Sequence, residues 1–483
     1  MMMHPFTNKR LIRELAAVAV LAAALVVVQP AQADSKDTSA SSRALLLEAV
    51  TIAGNVHVSD ETILGAMQLG PGDTLSVEIL ERERIRMLGA HYLIASVDFS
   101  TRPGSRRGTV VLDIEIGERK TVSFETGYGY HDIYGWFLTL LGARFDHAFG
   151  IDSRLKLGLR FGFHLSGLDA EWVKPPPPEG GPGFGARFYI YGEEHHFFGN
   201  GGIDAAGGGG GDGPFTWDGA AWREFRQKIG RAGTELSLRY RIGGSTRFSF
   251  GVAAESVDPD SSFTDVEEDR SRGFEDLPGL LQPEVGKTVI TGLFFRTIRD
   301  TRSRPGYPVS GSYVNLSMHA NNTILGGDEV FTKLTFDYRK HIHLGGARVL
   351  SSRVNAGIVS RGAPYFERFW IGGIYSIRGF QELSLSRTTG DDGFWMISEE
   401  LRFPLVHSDE GPPRLSGLLF FDAGQGWRRG SPFSTSGVES AAGYGVRLRL
   451  PWLGTLGFDI GIPFSEGRTG DSFRFHGALG FSF

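Results

Sequence analysis

The 483-residue chain carries a formal net charge of −5 and no cysteine. That balance is too mild to point to nucleic acid. The missing thiols exclude disulfides, thiol catalysis, cysteine-ligated zinc or iron–sulfur centres and an N-terminal lipoprotein anchor. At roughly 100–200 residues per domain the length allows two to four domains, although large β-barrels exceed that range.

Residues 1–33 read as a secretory signal: Lys9, Arg10 and Arg13 form a basic start, Leu15 to Val28 an apolar core, and "AQA" (31–33) a small-residue cleavage site. The core is shorter than the roughly 20 apolar residues a helical anchor needs, and no later run is long enough either. An exported protein with no helical span is therefore expected, either soluble or a membrane β-barrel. Residues 34–44 are small and polar and read as a disordered lead.

Residues 45–119 read as a small mixed unit of order β-α-α-β-β. "LEAVTIAG" (47–54) is a strand pattern, and "VSDETILGAM" (58–67) opens a helix. Ser59 is placed to cap that helix, Asp60 and Glu61 complement its dipole, and Val58 and Ile63 sit at hydrophobic-staple positions. A second helix is expected from Ser76 to about Gly89, with Val77, Leu80, Ile85 and Leu88 sharing the apolar face and Glu81, Arg82, Glu83, Arg84 and Arg86 solvated. "LIASVDFS" (93–100) and "GTVVLDIEI" (108–116) complete the unit. The phrases "VTIAGNVHVSDETIL" (50–64), "LGPGD" (69–73) and "LGAHYLIASVDF" (88–99) make this segment resemble a POTRA domain. The resemblance implies that a client polypeptide adds a strand to an open sheet edge, a mode that needs only main-chain hydrogen bonds and so tolerates many sequences.

From residue 120 to 483 the chain is a succession of period-2 strands. In "SRLKLGLRFGFHL" (153–165) Leu155, Leu157, Leu159, Phe161, Phe163 and Leu165 share one face, against Arg154, Lys156, Arg160 and His164. A soluble sandwich and an outer-membrane barrel both give this alternation. Strands of about ten residues or more, long enough to cross a bilayer when tilted, favour the barrel. Sixteen antiparallel strands are expected when 221–243 is read as one long strand, with long loops at 195–220, 258–285 and 360–393. The chain ends in "FRFHGALGFSF", where Phe475, Leu479, Phe481 and Phe483 alternate to the last residue. That ending resembles the barrel-targeting signal of outer-membrane proteins, with Ala478 at the usual glycine position and Gly477 beside it.

"EEHHF" (193–197) concentrates Glu193, Glu194, His195 and His196, but neighbours on a strand face opposite ways, so no metal site is expected. "GGGGGDG" (207–213) lacks the lysine and helix of a phosphate loop and reads as an outer loop.

"SIRGF" (376–380) interrupts the alternation. With the run-in "PYFERFWIGG" (364–373), the turn "RDTRSRPGYPVSGSYV" (299–314) and the strands "SEELRFPL" (398–405) and "LLFFDAGQGW" (418–427), it is similar to the arginine motif of the BamA/TamA/FhaC superfamily. The resemblance implies a long loop folded back into the lumen, with Arg378, Gly379 and Phe380 at its tip and Arg378 held by Asp422 and Glu400. Strict alternation then sends Glu399 toward lipid, unless a bulge intervenes or the residue lies near an interface.

The family implies a non-enzymatic outer-membrane factor with its front domain in the periplasm. Its expected action is to insert β-barrel proteins or to translocate polypeptides. It would bind client strands at the front-domain edge and then at a seam between 121–130 and 473–483, where Gly127 and Gly129 weaken pairing. Expected partners are unfolded outer-membrane or secreted polypeptides, outer-membrane lipid and periplasmic accessory proteins. No cofactor, metal or nucleic acid is expected. A passive pore or anion channel is the rival reading, since the lumenal face is basic. A single POTRA-like unit before Thr121 leaves the subfamily open.

Overall fold

The computed structural model describes residues 45–479, apart from 119–120, 132–134, 151–152, 178–179, 201–221, 267–269, 274–285, 304–306, 407–412, 431–436, 451–453, 466–471 and single residues 92, 163, 244 and 388. The signal (1–33), the lead (34–44), the glycine run 207–213 and both Phe481 and Phe483 lie outside the described residues.

The front unit runs β1 (Leu45–Ala53), α1 (Asp60–Ala66), β2 (Thr74–Leu75), α2 (Val77–Ala90), β3 (Ile94–Pro103) and β4 (Thr109–Glu118). Its sheet has the order β2-β1-β4-β3, with β1 and β4 parallel and the other pairs antiparallel. Ser59 and Ser76 cap the two helices, each side chain accepting an N–H three residues on. Leu47, Val58, Ile63, Met87, Leu93, Val97, Leu112 and Ile114 form its core.

The face of α2 differs from the expected one. Met87 and Glu83 are buried, whereas Ile85 is 69% and Leu88 38% exposed. Residues 80, 83 and 87 keep the 3–4 spacing of one helical stripe, and 85 lies off it. Glu83 tolerates burial because it accepts the Gln68 N–H at 3.0 Å and pairs with Arg86. The last residue of β4, Glu118, accepts the N–H groups of Val56, His57 and Val58 at 2.8, 2.8 and 2.9 Å. It thereby ties the β1–α1 loop to the strand end that leads into the larger sheet.

That sheet comprises β5 (Val122–His131), β6 (Gly135–Asp146), β7 (Arg154–Gly162), β8 (Leu165–Lys174), β9 (Gly183–Asn200), β10 (Trp222–Ile242), β11 (Thr246–Pro259), β12 (Ser262–Asp265), β13 (Arg270–Gly273), β14 (Thr288–Asp300), β15 (Gly311–Asn321), β16 (Phe331–Gly345), β17 (Arg348–Val359), β18 (Gly393–Val406), β19 (Leu415–Trp427), β20 (Glu439–Leu450), β21 (Gly454–Pro463) and β22 (Arg474–Leu479). Sixteen of these are longer than four residues, and β12 and β13 form a small added hairpin beside β10. Residues 222–242 are one strand, paired with β9 and with β11. The strand order runs in sequence and returns from β22 to β5, as in a barrel.

Outward positions are apolar and exposed, among them Leu236, Phe250, Leu293, Leu419, Phe421, Phe458, Ile460 and Phe475. Inward positions carry the charges. Arg302 pairs with Asp300, and Arg339 and Arg353 share Asp337 along the wall. The lumen is not wet throughout. Tyr365, Phe366, Phe369, Ile371, Ile377, Phe380 and Leu385, all from the loop between β17 and β18, pack with Ile229, Val257, Phe394 and Met396 of the wall.

Candidate functional site

The loop 360–392 leaves β17, crosses the lumen and returns to β18. Its two legs are joined by reciprocal main-chain bonds between Phe369 and Asp391, both 2.9 Å, and by Leu385 N–H to the Ile371 carbonyl at 3.1 Å. At the tip, Ser376 N–H donates to the Gly373 carbonyl, and Gly379 takes φ +93°, a left-handed geometry that glycine adopts without strain. There is also no room for a side chain. A Cβ on Gly461 of β21 would lie 2.4 Å from the Gly379 nitrogen, so loop and wall meet backbone to backbone.

The tip presents Arg378, which is 1% exposed. Its Nε and one terminal nitrogen donate to the two Asp422 oxygens at 2.7 and 2.8 Å, and its main-chain N–H adds a third bond at 3.0 Å. The other terminal nitrogen reaches Glu400 at 2.7 Å and Asp459 at 3.3 Å. Ser398 Oγ accepts at 3.1 Å, and the guanidinium carbon lies 3.7 Å from the centroid of the Phe420 ring. Arg402 pairs with Glu400, and Arg447 holds both oxygens of Asp459. Three arginines thus face three carboxylates, which neutralises a cluster that water scarcely reaches. Such burial is tolerable only with this degree of pairing, and the planar fork of arginine suits bidentate carboxylates.

The structure therefore brings Arg378, Gly379, Asp422 and Glu400 together, and places Phe380 beside them in the apolar core of the lumen. Sequence reading missed Asp459, Arg402, Arg447, Ser398 and Phe420. Alternation alone carried a signal for Asp459, which stands between the outward Phe458 and Ile460. Also unforeseen was His476 of β22, whose Nε2 accepts the Gly379 N–H at 3.0 Å.

Glu399 faces outward. Pairing with β17 is continuous through Glu400 and Glu399, and the irregularity in β18 comes later, at Pro404–Val406. Its carboxylate accepts from Ser352 Oγ at 2.6 Å on the same outer face. The four residues of the histidine-rich segment split between separate partners: Glu193 to Arg231, Glu194 to His164, His196 to Glu224, and His195 against the Trp370 ring. Among the described residues no group of histidines and carboxylates is arranged to hold a metal. Phe475 lies on the outer surface, and Leu479 pairs with Leu456 of β21.

A second ionic cluster lies at the base of the loop. Arg231 of β10 contacts Glu193, Glu255 and Glu367 and donates to the Phe366 carbonyl at 3.1 Å. Lys333 of β16 reaches Glu367 at 3.2 Å.

Residues 210–483 match the Omp85 superfamily domain. The chain is 23% identical over 442 residues to the outer membrane protein assembly factor BamA of Nitratidesulfovibrio vulgaris, a match covering 89% of this chain and 50% of that protein. It is 32% identical over 154 residues to a SAM50-like protein of Schizosaccharomyces pombe, covering 29% of this chain and 32% of that one. The chain thus spans half the length, or less, of these curated relatives. Its fold is similar to the crystal structure of BamA from Haemophilus ducreyi lacking POTRA domains 1–3, with a TM-score of 0.58, 18% identity, and coverage of 90% of this chain and 84% of that chain.

Proposed function

The chain belongs to the Omp85 superfamily, and we propose that it is an outer-membrane factor that inserts β-barrel proteins into the bilayer or moves polypeptides across it. In this reading the large sheet is a closed sixteen-stranded membrane barrel. The front unit, residues 45–119, is a periplasmic POTRA domain. A client strand pairs first with the edge of the front sheet and then with the seam between β5 and β22.

The observation that carries the reading is where the loop tip docks. Gly379 touches β21 and β22, the strands beside the seam, through Gly461 and His476. A lock that fixes the last strands from inside gives the lumenal loop control over a lateral opening. β22 and β5 close the ring of strands, so the ladder bonds between them are the ones that a lateral opening breaks. Pairing with the client replaces those bonds, and no cofactor or chemical step is required.

Depletion of the protein followed by quantification of the outer-membrane and secreted proteomes tests this. Loss of barrel proteins, or of a secreted product, is expected. If neither changes while the purified protein conducts small ions selectively, the passive channel replaces the assembly reading.

A further inference from the structure

The loop is tied at its base as well as its tip, and with opposite polarity. At the tip a loop cation meets wall carboxylates on β18, β19 and β21. At the base a loop anion, Glu367, meets wall cations on β10 and β16. Its two oxygens accept from Arg231 at 3.0 Å and from Lys333 at 3.2 Å. The Arg231 guanidinium also covers the Phe366 ring, and the Lys333 ammonium lies over Phe369. We infer that Glu367 is a second positioning residue, the releasable end of a strut that holds the loop across the lumen.

Three features separate this end from the tip. First, Glu367 and Lys333 keep 14% and 26% side-chain exposure, against 1% or less for Arg378 and its three acids. Second, the base borders a cavity of about 340 Å³ lined by Arg231, Glu255, Lys333, Phe366 and Glu367, among others, so the carboxylate has space to move and access to water. Third, the charge count differs. The tip cluster is neutral with Arg378 in place, whereas the base has two cations and three carboxylates. Neutralising Glu367 leaves Arg231 and Lys333 balanced by Glu193 and Glu255. The wall charges at the base therefore balance without the loop, whereas those at the tip do not. This base is built to let go.

The inference does not depend on what the barrel handles, and its test needs no client. Folded wild type and Glu367→Gln are digested with trypsin in detergent, and cleavage after Arg368, the next residue, is followed by mass spectrometry. Cleavage in Glu367→Gln is expected to be about tenfold faster, the factor that ~1.4 kcal/mol of lost restraint gives when opening is fast. Glu367→Asp, which keeps the charge, is expected to recover most of the resistance. Raising salt from ~0.1 to ~1 M shortens the Debye length from about 10 to about 3 Å. That rise is expected to speed cleavage of wild type but not of Glu367→Gln, a response that loss of packing alone does not produce. Equal cleavage of wild type and Glu367→Gln at both salt levels overturns the proposal. If Glu367→Gln yields no folded barrel, Lys333→Gln carries the test. It removes one of the two ties, and resistance equal to wild type overturns the proposal in the same way.

Discussion

Arg378 shows how much one side chain organises when its surroundings are dry. Five donor–acceptor contacts and one ring face use the whole guanidinium, and the main-chain N–H adds a sixth bond. Removing it leaves Asp422, Glu400 and Asp459 with two wall arginines and no loop partner. Arg378→Ala is therefore expected to destabilise the barrel by about 3–5 kcal/mol, the usual consequence of breaking a buried pair from one side. Arg378→Lys is expected to recover little of that, because a point charge cannot span both Asp422 oxygens and Glu400 together. The temperature at which the folded species disappears on semi-native electrophoresis measures both. A wild-type transition for Arg378→Ala contradicts the account. Glu399, next to the cluster in sequence, has no part in it, since a strand sends adjacent residues to opposite faces.

At the level of elements, what was legible in the sequence follows the strength of each local signal. Within β7 strict alternation gave the faces directly, with Leu157 and Phe161 exposed on the outside, because outward and inward positions differ in solvent, whereas Leu165 of the same run belongs to β8. The helix α2 misled. Glu83 sits in the buried stripe and Ile85 outside it, so a reading by residue type inverted the face that spacing alone would have given. The tip cluster was reachable through Asp422 and Glu400, on strands whose motifs stood in order. His476 was not, since only the folded loop brings β22 to Gly379, and alternation could turn Asp459 inward without assigning it to Arg378. Glu118 was also overlooked at the end of a strand, although it governs a junction. Burial pushes its carboxyl up, but hydrogen bonds from Val58, His57 and Val56 outweigh that and hold it below the usual carboxylate range. A depressed folded-state pKa means that the stabilisation is complete above the unfolded value, near 4.3, and is lost as pH falls through the folded value. Glu118→Gln is thus expected to weaken the front unit at neutral pH by on the order of 1–3 kcal/mol and to flatten its stability between about pH 5 and its acid limit. Urea unfolding across that range checks it, and parallel pH profiles for variant and wild type would remove Glu118 from the junction.

For the whole molecule, the question is whether the lumen is a passage or a packed interior. The basic inner faces of the strands suit an anion pathway when read alone. The folded loop changes the balance. Its aromatic and aliphatic side chains form a core with Ile229, Val257, Phe394 and Met396 inside the ring of strands, and ionic clusters fix it at both ends. A barrel of sixteen strands with an empty interior leaves an aqueous channel, so it is the loop that decides conduction. The reciprocal bonds between Phe369 and Asp391 bring the two legs together and make a clean excision possible. Deleting residues 370–390 and joining the legs with a short glycine linker removes Ile371, Ile377, Phe380 and Leu385 of the apolar plug together with Arg378, while leaving the wall intact. In planar bilayers the wild type is expected to be mostly closed and the deletion variant to show large, long-lived conductance steps. Equal conductance of the two would mean that ions already pass beside the loop, which would favour the passive-channel reading. A closed wild type beside an open deletion variant means that the fold spends its most heavily paired side chains on keeping the lumen shut. A channel has no use for that, whereas a barrel that works at its seam needs it to keep the membrane sealed.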